Sequence, residues 1–85
     1  MRYRFSLHAR RQIAERGIPL RVVCDALEAP QQVVPQHGGR MAHQSRVEFS
    51  GRSLLVRVIV DGSVDPALVV TVYWTTRIGK YWRET

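Results

Sequence analysis

Lysine is nearly missing from this chain: Lys80 is the sole lysine among thirteen basic residues, and the rest are arginine. Acidic residues are also scarce, with seven Asp and Glu, which leaves a formal net charge of +6. Arginine presents a planar fork that matches phosphate bidentately and stacks on bases, so a polyanion, nucleic acid first of all, is the expected partner. Cysteine is reduced to Cys24, which excludes an internal disulfide and suits a reducing, cytoplasmic setting. No run approaches the roughly 18 apolar residues of a membrane span. The opening segment from Met1 to Ser6 has no apolar stretch of the kind an export signal needs, so neither export nor insertion is expected. A phosphate-binding glycine loop and a Ser/His/Asp arrangement are both missing. Cys24, His37 and His43 show no metal-ligand spacing, and neither a metal nor a cofactor is expected.

What remains is 85 residues, 45% hydrophobic, enough for one domain over residues 1–85 with one modest core. Two helices are expected first. Ser6 is a good N-cap, residues 7–16 lack Gly and Pro, and Gly17 stands where a left-handed C-cap is wanted, which gives a helix from Leu7 to Arg16. His8, Arg11, Gln12 and Glu15 share its polar face. Pro19 opens a second helix on Leu20, Val23, Cys24 and Leu27, and Pro30 ends it near Ala29.

Beyond Pro30 the period becomes two. Gln31 to Pro35 reads as a weak strand, Gln36 to Gly39 as a turn, and His43 to Phe49, Ser53 to Asp61 and Ala67 to Thr75 as strands. A two-residue turn at Ser50-Gly51 pairs Phe49 with Arg52 and Val47 with Leu54. Pairing Val60 with Leu68 puts Val58 opposite Val70, Val56 opposite Val72 and Leu54 opposite Trp74 on a core face. The other face then shows Gln44, Arg46 and Glu48, Leu55, Arg57 and Ile59, and Val69, Thr71, Tyr73 and Thr75, with Arg57 opposite Thr71. The expected class is α+β: two N-terminal helices on one face of a mostly antiparallel, curled four-stranded sheet whose second face is open.

Three separated blocks, His8 to Ile18, Val60 to Tyr73 and Thr75 to Trp82, resemble domain-of-unknown-function family 4258. The order of helices followed by a curled sheet is in turn similar to the RelE and BrnT toxins, which are metal-independent RNases. That resemblance implies a toxin-like endoribonuclease held in check by a small acidic antitoxin, and it points to Arg57, Lys80 and Tyr81 as the matching positions. Cleaving RNA without a metal needs a base for the 2′-hydroxyl, cations for the phosphorane charge and an acid for the departing oxygen. His8 is the candidate proton-transfer group, with Arg57, Lys80 and Tyr81 completing the catalytic set. Arg11, Arg46, Tyr73, Arg77 and Arg83 are the candidate RNA contacts. Trp74 is expected in the core and Trp82 against the C-terminal segment. Two other classes fit the same features: a non-catalytic nucleic-acid-binding module, and a small interaction or immunity-type protein that pairs through a strand edge.

Overall fold

The computed structural model describes residues 2–84. Its elements run β1 (Tyr3–Phe5), α1 (Leu7–Glu15), α2 (Leu20–Glu28), β2 (Gln32–Pro35), a 3-10 turn (His37–Gly39), β3 (Met41–Phe49), β4 (Arg52–Asp61), β5 (Ala67–Thr75) and α3 (Ile78–Tyr81). The α+β class is as expected. The sheet, however, has five strands in the order β1-β5-β4-β3-β2, and it is mixed because β1 runs parallel to β5. Three residues, Tyr3 to Phe5, are too few to show a period, which is why the first strand was not expected.

Both helix starts and stops follow local chemistry. The Ser6 hydroxyl accepts the Ala9 N–H at 3.0 Å and caps α1. At the other end Gly17 takes φ +63°, the Gly17 N–H donates to the Ala14 carbonyl, and the Ile18 N–H donates to the Ile13 carbonyl. This double bond pattern satisfies carbonyls that the helix end would leave bare, and it turns Ile18 into the core. The Ser50-Gly51 turn has positive φ at both positions, 52° and 76°, as a tight hairpin between right-twisted strands requires. The register that follows, Phe49 with Arg52 and Val47 with Leu54, is the expected one.

The β4–β5 register is not. Val60 pairs with Val69, but Ile59 pairs with Thr71, so Val70 is an extra residue bulged out of β5. Val69, expected on the open face, therefore turns to the helices opposite Val60, the place foreseen for Leu68, while Val72 faces Val58, Val56 faces Trp74 and Arg57 faces Tyr73. Ser6 docks at this bulge: its N–H donates to the Val69 carbonyl at 2.9 Å and its hydroxyl to the Val70 carbonyl at 3.0 Å. Gln12, expected on the polar face of α1, turns inward, and its side-chain oxygen accepts the Val72 N–H at 3.0 Å. That bond occupies a β5 donor beyond the end of the short β1, where no strand remains to take it.

Helices α1 and α2 cover one face of the sheet. Ala9, Val23, Ala26 and Leu27 pack there on Val56, Val58, Val60, Val69 and Val72, with Trp74 partly buried beside them and its ring tilted against that of Phe49, 5.2 Å between centres. None of the helices in the described residues is long and apolar enough to cross a membrane.

The bulge makes a sharp test. Val69→Ala removes two buried methyl groups and should cost about 2 kcal/mol in a urea titration, whereas Val70→Ala should cost less than half of that. The ranking reverses if β5 runs without a bulge.

Candidate nucleic-acid interface

The face turned away from α1 and α2 was expected to be open, and it is not. Beyond β5 the chain turns at Thr75, whose hydroxyl accepts the Arg77 N–H, and folds back through α3 across the sheet. The Gln44 side chain donates to the Tyr81 carbonyl at 3.2 Å. The Gln32 amide grips the Arg83 backbone from both sides, donating to its carbonyl and accepting its N–H at 3.1 Å. Arg46 lies over the Trp82 ring, 4.4 Å from its centre. Trp82 thus packs on the sheet, in keeping with its expected place against the C-terminal segment.

Beneath this tail runs a row of polar side chains directed by register. Gln32 pairs with Gln44, Gln44 with Arg57, and Arg57 with Tyr73, so four neighbouring strands each place one polar residue on the same line. They are bonded in sequence. Gln44 Nε2 donates to Gln32 Oε1 at 2.8 Å, Arg57 Nε donates to Gln44 Oε1 at 2.8 Å, and Arg57 Nη1 donates to the Tyr73 hydroxyl. Gln44 is fully buried and Arg57 is 3% exposed. A guanidinium carried this far from water is costly unless its hydrogens find acceptors and its charge finds a compensating field. Both acceptors here are neutral, and the compensation comes from aromatic faces: the Arg57 carbon sits 4.3 Å from the centre of the Tyr81 ring and 5.7 Å from that of Tyr73. Arg57 Nη2 forms no hydrogen bond among the described residues.

Burial pushes the Tyr73 phenol above its ordinary pKa, against the opposing pull of the Arg57 hydrogen bond and charge. The phenol is therefore protonated at neutral pH. Its oxygen accepts from Arg57, and the Tyr81 phenol beside it acts to hold the proton in place. Lys80 is exposed with its ammonium 5.3 Å from the Tyr81 ring centre, and Tyr73 and Tyr81 meet edge to face at 6.1 Å. The result is a cationic patch with Arg57 at its floor and Lys80 and Arg46 at its rim.

Of the residues expected to act together, Arg57, Tyr73, Lys80 and Tyr81 are assembled here, with Arg46 beside them. Arg77 and Arg83 lie along the tail, exposed. His8 and Arg11 are exposed on α1, which packs against β5 from the opposite side of the sheet, so neither joins this cluster. The expectation that Arg57 neighbours Thr71 is corrected by the bulge, which brings Tyr73 directly across. Gln32 and Gln44 were not picked out as site residues. The signal was present in the β2–β3–β4 register, since Gln44 already shared a face with Arg57. Among the described residues no three His, Cys, Asp or Glu side chains come together.

Fold and face together define a small basic α+β protein with an arginine-centred polar row under a C-terminal cover. The chain belongs to the family described as domain of unknown function DUF4258, whose model matches residues 5–74 and so contains the whole row but not the tail above it. No curated protein and no solved structure matches the chain.

The row can be probed for its own energetics. Gln44→Leu leaves Arg57 Nε buried without an acceptor and should destabilise the protein by about 1–3 kcal/mol. Adding Arg57→Met to that variant should recover part of the loss, because the stranded charge goes with it. Thermal unfolding of the two single variants and the double variant measures this, and strict additivity would mean that the two side chains do not act as a pair.

Proposed function

We propose that this is an RNA-directed protein, and that the tail-side face holds the phosphodiester backbone and cleaves it without a metal, in the manner of the RelE- and BrnT-type toxin endoribonucleases. The observation that carries this reading is Arg57: a nearly buried guanidinium fixed by Gln44 and Tyr73, with Nη2 bonded to none of the described residues. A cation held rigidly by neutral partners is suited to stabilise an anion that forms in front of it, since no rearrangement is needed when the charge develops. In cleavage the RNA 2′-oxygen attacks phosphorus and the bond to the 5′-oxygen breaks, leaving a 2′,3′-cyclic phosphate and a 5′-hydroxyl. Arg57 and the Lys80 ammonium face the non-bridging oxygens, the 2′-hydroxyl gives its proton to solvent water, and Tyr73 gives its proton to the departing 5′-oxygen and regains one from solvent. His8, on the far side of the sheet, has no part in the step. Arg46, Arg77 and Arg83 extend the contact along the strand, and Trp82 and Tyr81 offer stacking faces to unpaired bases. An acidic protein that covers this face would be the natural inhibitor.

A second reading has its own support. Arg57 lies under the Tyr81 ring at 4.3 Å, and a site so covered suits binding without turnover. One set of measurements separates the two. Purified protein incubated with single-stranded RNA in EDTA should release products ending in cyclic phosphate. Arg57→Ala should lower the rate by about 2–4 kcal/mol in activation free energy, and Tyr73→Phe should slow cleavage while keeping affinity. Affinity should also fall with salt by a log-log slope of about −0.7 for each phosphate contact. A steep salt slope with no cleavage would favour the binding module. An Arg57→Ala protein that stays folded and fully active would place the site elsewhere.

A further inference from the structure

Arg57 stands in the middle of the polar row and is almost out of reach. It is 3% exposed, and the Tyr81 ring lies over its guanidinium, with 4.3 Å from ring centre to guanidinium carbon. A charge-assisted bond to phosphate needs an oxygen within about 2.7–2.9 Å of a guanidinium nitrogen. An anion therefore meets this charge only after part of its cover moves. The neighbouring strands are not that part, since β3 and β5 are both paired with β4 on either side of Arg57. The tail from Arg77 to Glu84, which carries Tyr81, is.

The tail is held by weaker means than the strands. Among the described residues no backbone hydrogen bond joins it to the sheet, and the Lys80 and Trp82 N–H groups donate to Arg77 and Ile78 within the tail itself. Its attachments come from side chains: Gln44 on the Tyr81 carbonyl, Gln32 on both backbone groups of Arg83, and Arg46 over the Trp82 ring. α3 is a single turn with Gly79 inside it, far below the length at which a helix holds itself together. No residue from Thr76 to Glu84 is buried, and segments with few buried contacts are the first to open. The floor, by contrast, does not need the tail. Gln44 and Tyr73 fix Arg57, and Gln44 Nε2 also donates to Gln32 Oε1, a bond that owes nothing to Tyr81.

We propose that residues 77–84 form an autoinhibitory lid, which closes the Tyr81 ring over Arg57 at rest and lifts about the bend at Thr76 when a phosphodiester bonds to the guanidinium. The inference rests on the reading that Arg57 meets phosphate, and it adds that the protein's own chain keeps the site shut. Gln32 is the latch, because its amide holds Arg83 near the far end of the segment by two hydrogen bonds. The affinity measured for RNA is then the affinity of the open form reduced by the fraction of molecules that are open. Loosening the latch raises that fraction and leaves every basic residue in place.

The probe is single-stranded 2′-O-methyl RNA, which has no free 2′-hydroxyl and so is not cleaved. Its affinity is measured by fluorescence anisotropy at one salt concentration for the wild-type protein, Gln32→Ala, Arg57→Met and the double variant. Gln32→Ala should bind about five-fold more tightly than wild type, the effect of releasing ordinary hydrogen bonds that hold the closed form. Arg57→Met should bind more weakly, and adding Gln32→Ala to it should gain less than about two-fold, because the open lid then uncovers no charge. Equal affinities for wild type and Gln32→Ala, with Arg57→Met weaker than both, would overturn the lid and leave Arg57 as a phosphate contact. A gain from Gln32→Ala that persists in full beside Arg57→Met would overturn it as well, since the latch would then guard something else. Affinities that Arg57→Met leaves unchanged, or no binding by any of the four proteins, would remove the lid together with the reading on which it rests. Gln32→Met and Arg57→Leu take the place of either variant that circular dichroism shows to be unfolded.

Discussion

Arg57 is the constraint around which the tail-side half of the molecule is arranged. It sits in the middle of β4, in the run Leu54-Leu55-Val56-Arg57-Val58-Ile59-Val60, where every neighbour in sequence is apolar and buried. A charge in that place demands acceptors at the guanidinium edge and electron density over its plane. Each demand is met by a different strand or segment: Gln44 from β3, Tyr73 from β5, and the Tyr81 ring from α3. Gln44, drawn in to serve Arg57, becomes a buried amide with its own donor to satisfy, and it does so on Gln32 and on the Tyr81 carbonyl. Gln32 in turn fixes Arg83. The tail is thereby held to the sheet through a chain of bonds that starts at one arginine, and side chains such as Leu55 and Ile59 are buried on a face that would otherwise be wet.

A second constraint acts from the opposite side. The bulge at Val70 changes which residues of β5 face the helices, and it leaves carbonyl and N–H groups that a regular ladder would have used. Ser6 and Gln12 take them up. One serine therefore caps α1, ends β1 and locks the bulge. The same irregularity sets the site, because without it Arg57 would face Thr71 and the phenol of Tyr73 would lie one step away along the strand.

How much of this is legible in the sequence follows from where the determinants are local. The caps at Ser6 and Gly17, the stop at Pro30 and the hairpin turn at Ser50-Gly51 are properties of a few adjacent residues, and they place both helices and the β3–β4 register to within a residue or two. Arg57, Tyr73, Lys80 and Tyr81 could be grouped because an unmatched arginine in an apolar strand must look for partners on its own face. The bulge could not be read, since Leu68-Val69-Val70-Thr71 offers two valines in a row and no glycine to mark the extra residue. Nor could the inward turn of Gln12, or the return of the tail, because both depend on groups made available by the assembled sheet rather than by their own neighbourhood. His8 shared a helix face with charged residues and so resembled a site residue. Only the handedness of the packed layers shows that α1 lies behind β5, away from Arg57.

The two faces of one sheet thus solve opposite problems with the same backbone. On the helix side, Val56, Val58, Val60, Val69 and Val72 need only area, and the helices supply it, so substitutions there are felt as lost volume. On the tail side stability rests on directional bonds in a low-dielectric layer, where each partner is either satisfied or costly. A cationic centre built in this second way is rigid before any ligand arrives, because Gln44 and Tyr73 have already fixed the orientation of the guanidinium. The segment above it is joined to the sheet chiefly by amide contacts and ring faces, and α3 contributes no fully buried side chain. The floor of the row is therefore fixed by bonds between strands, and its cover is held by amide contacts and ring faces alone.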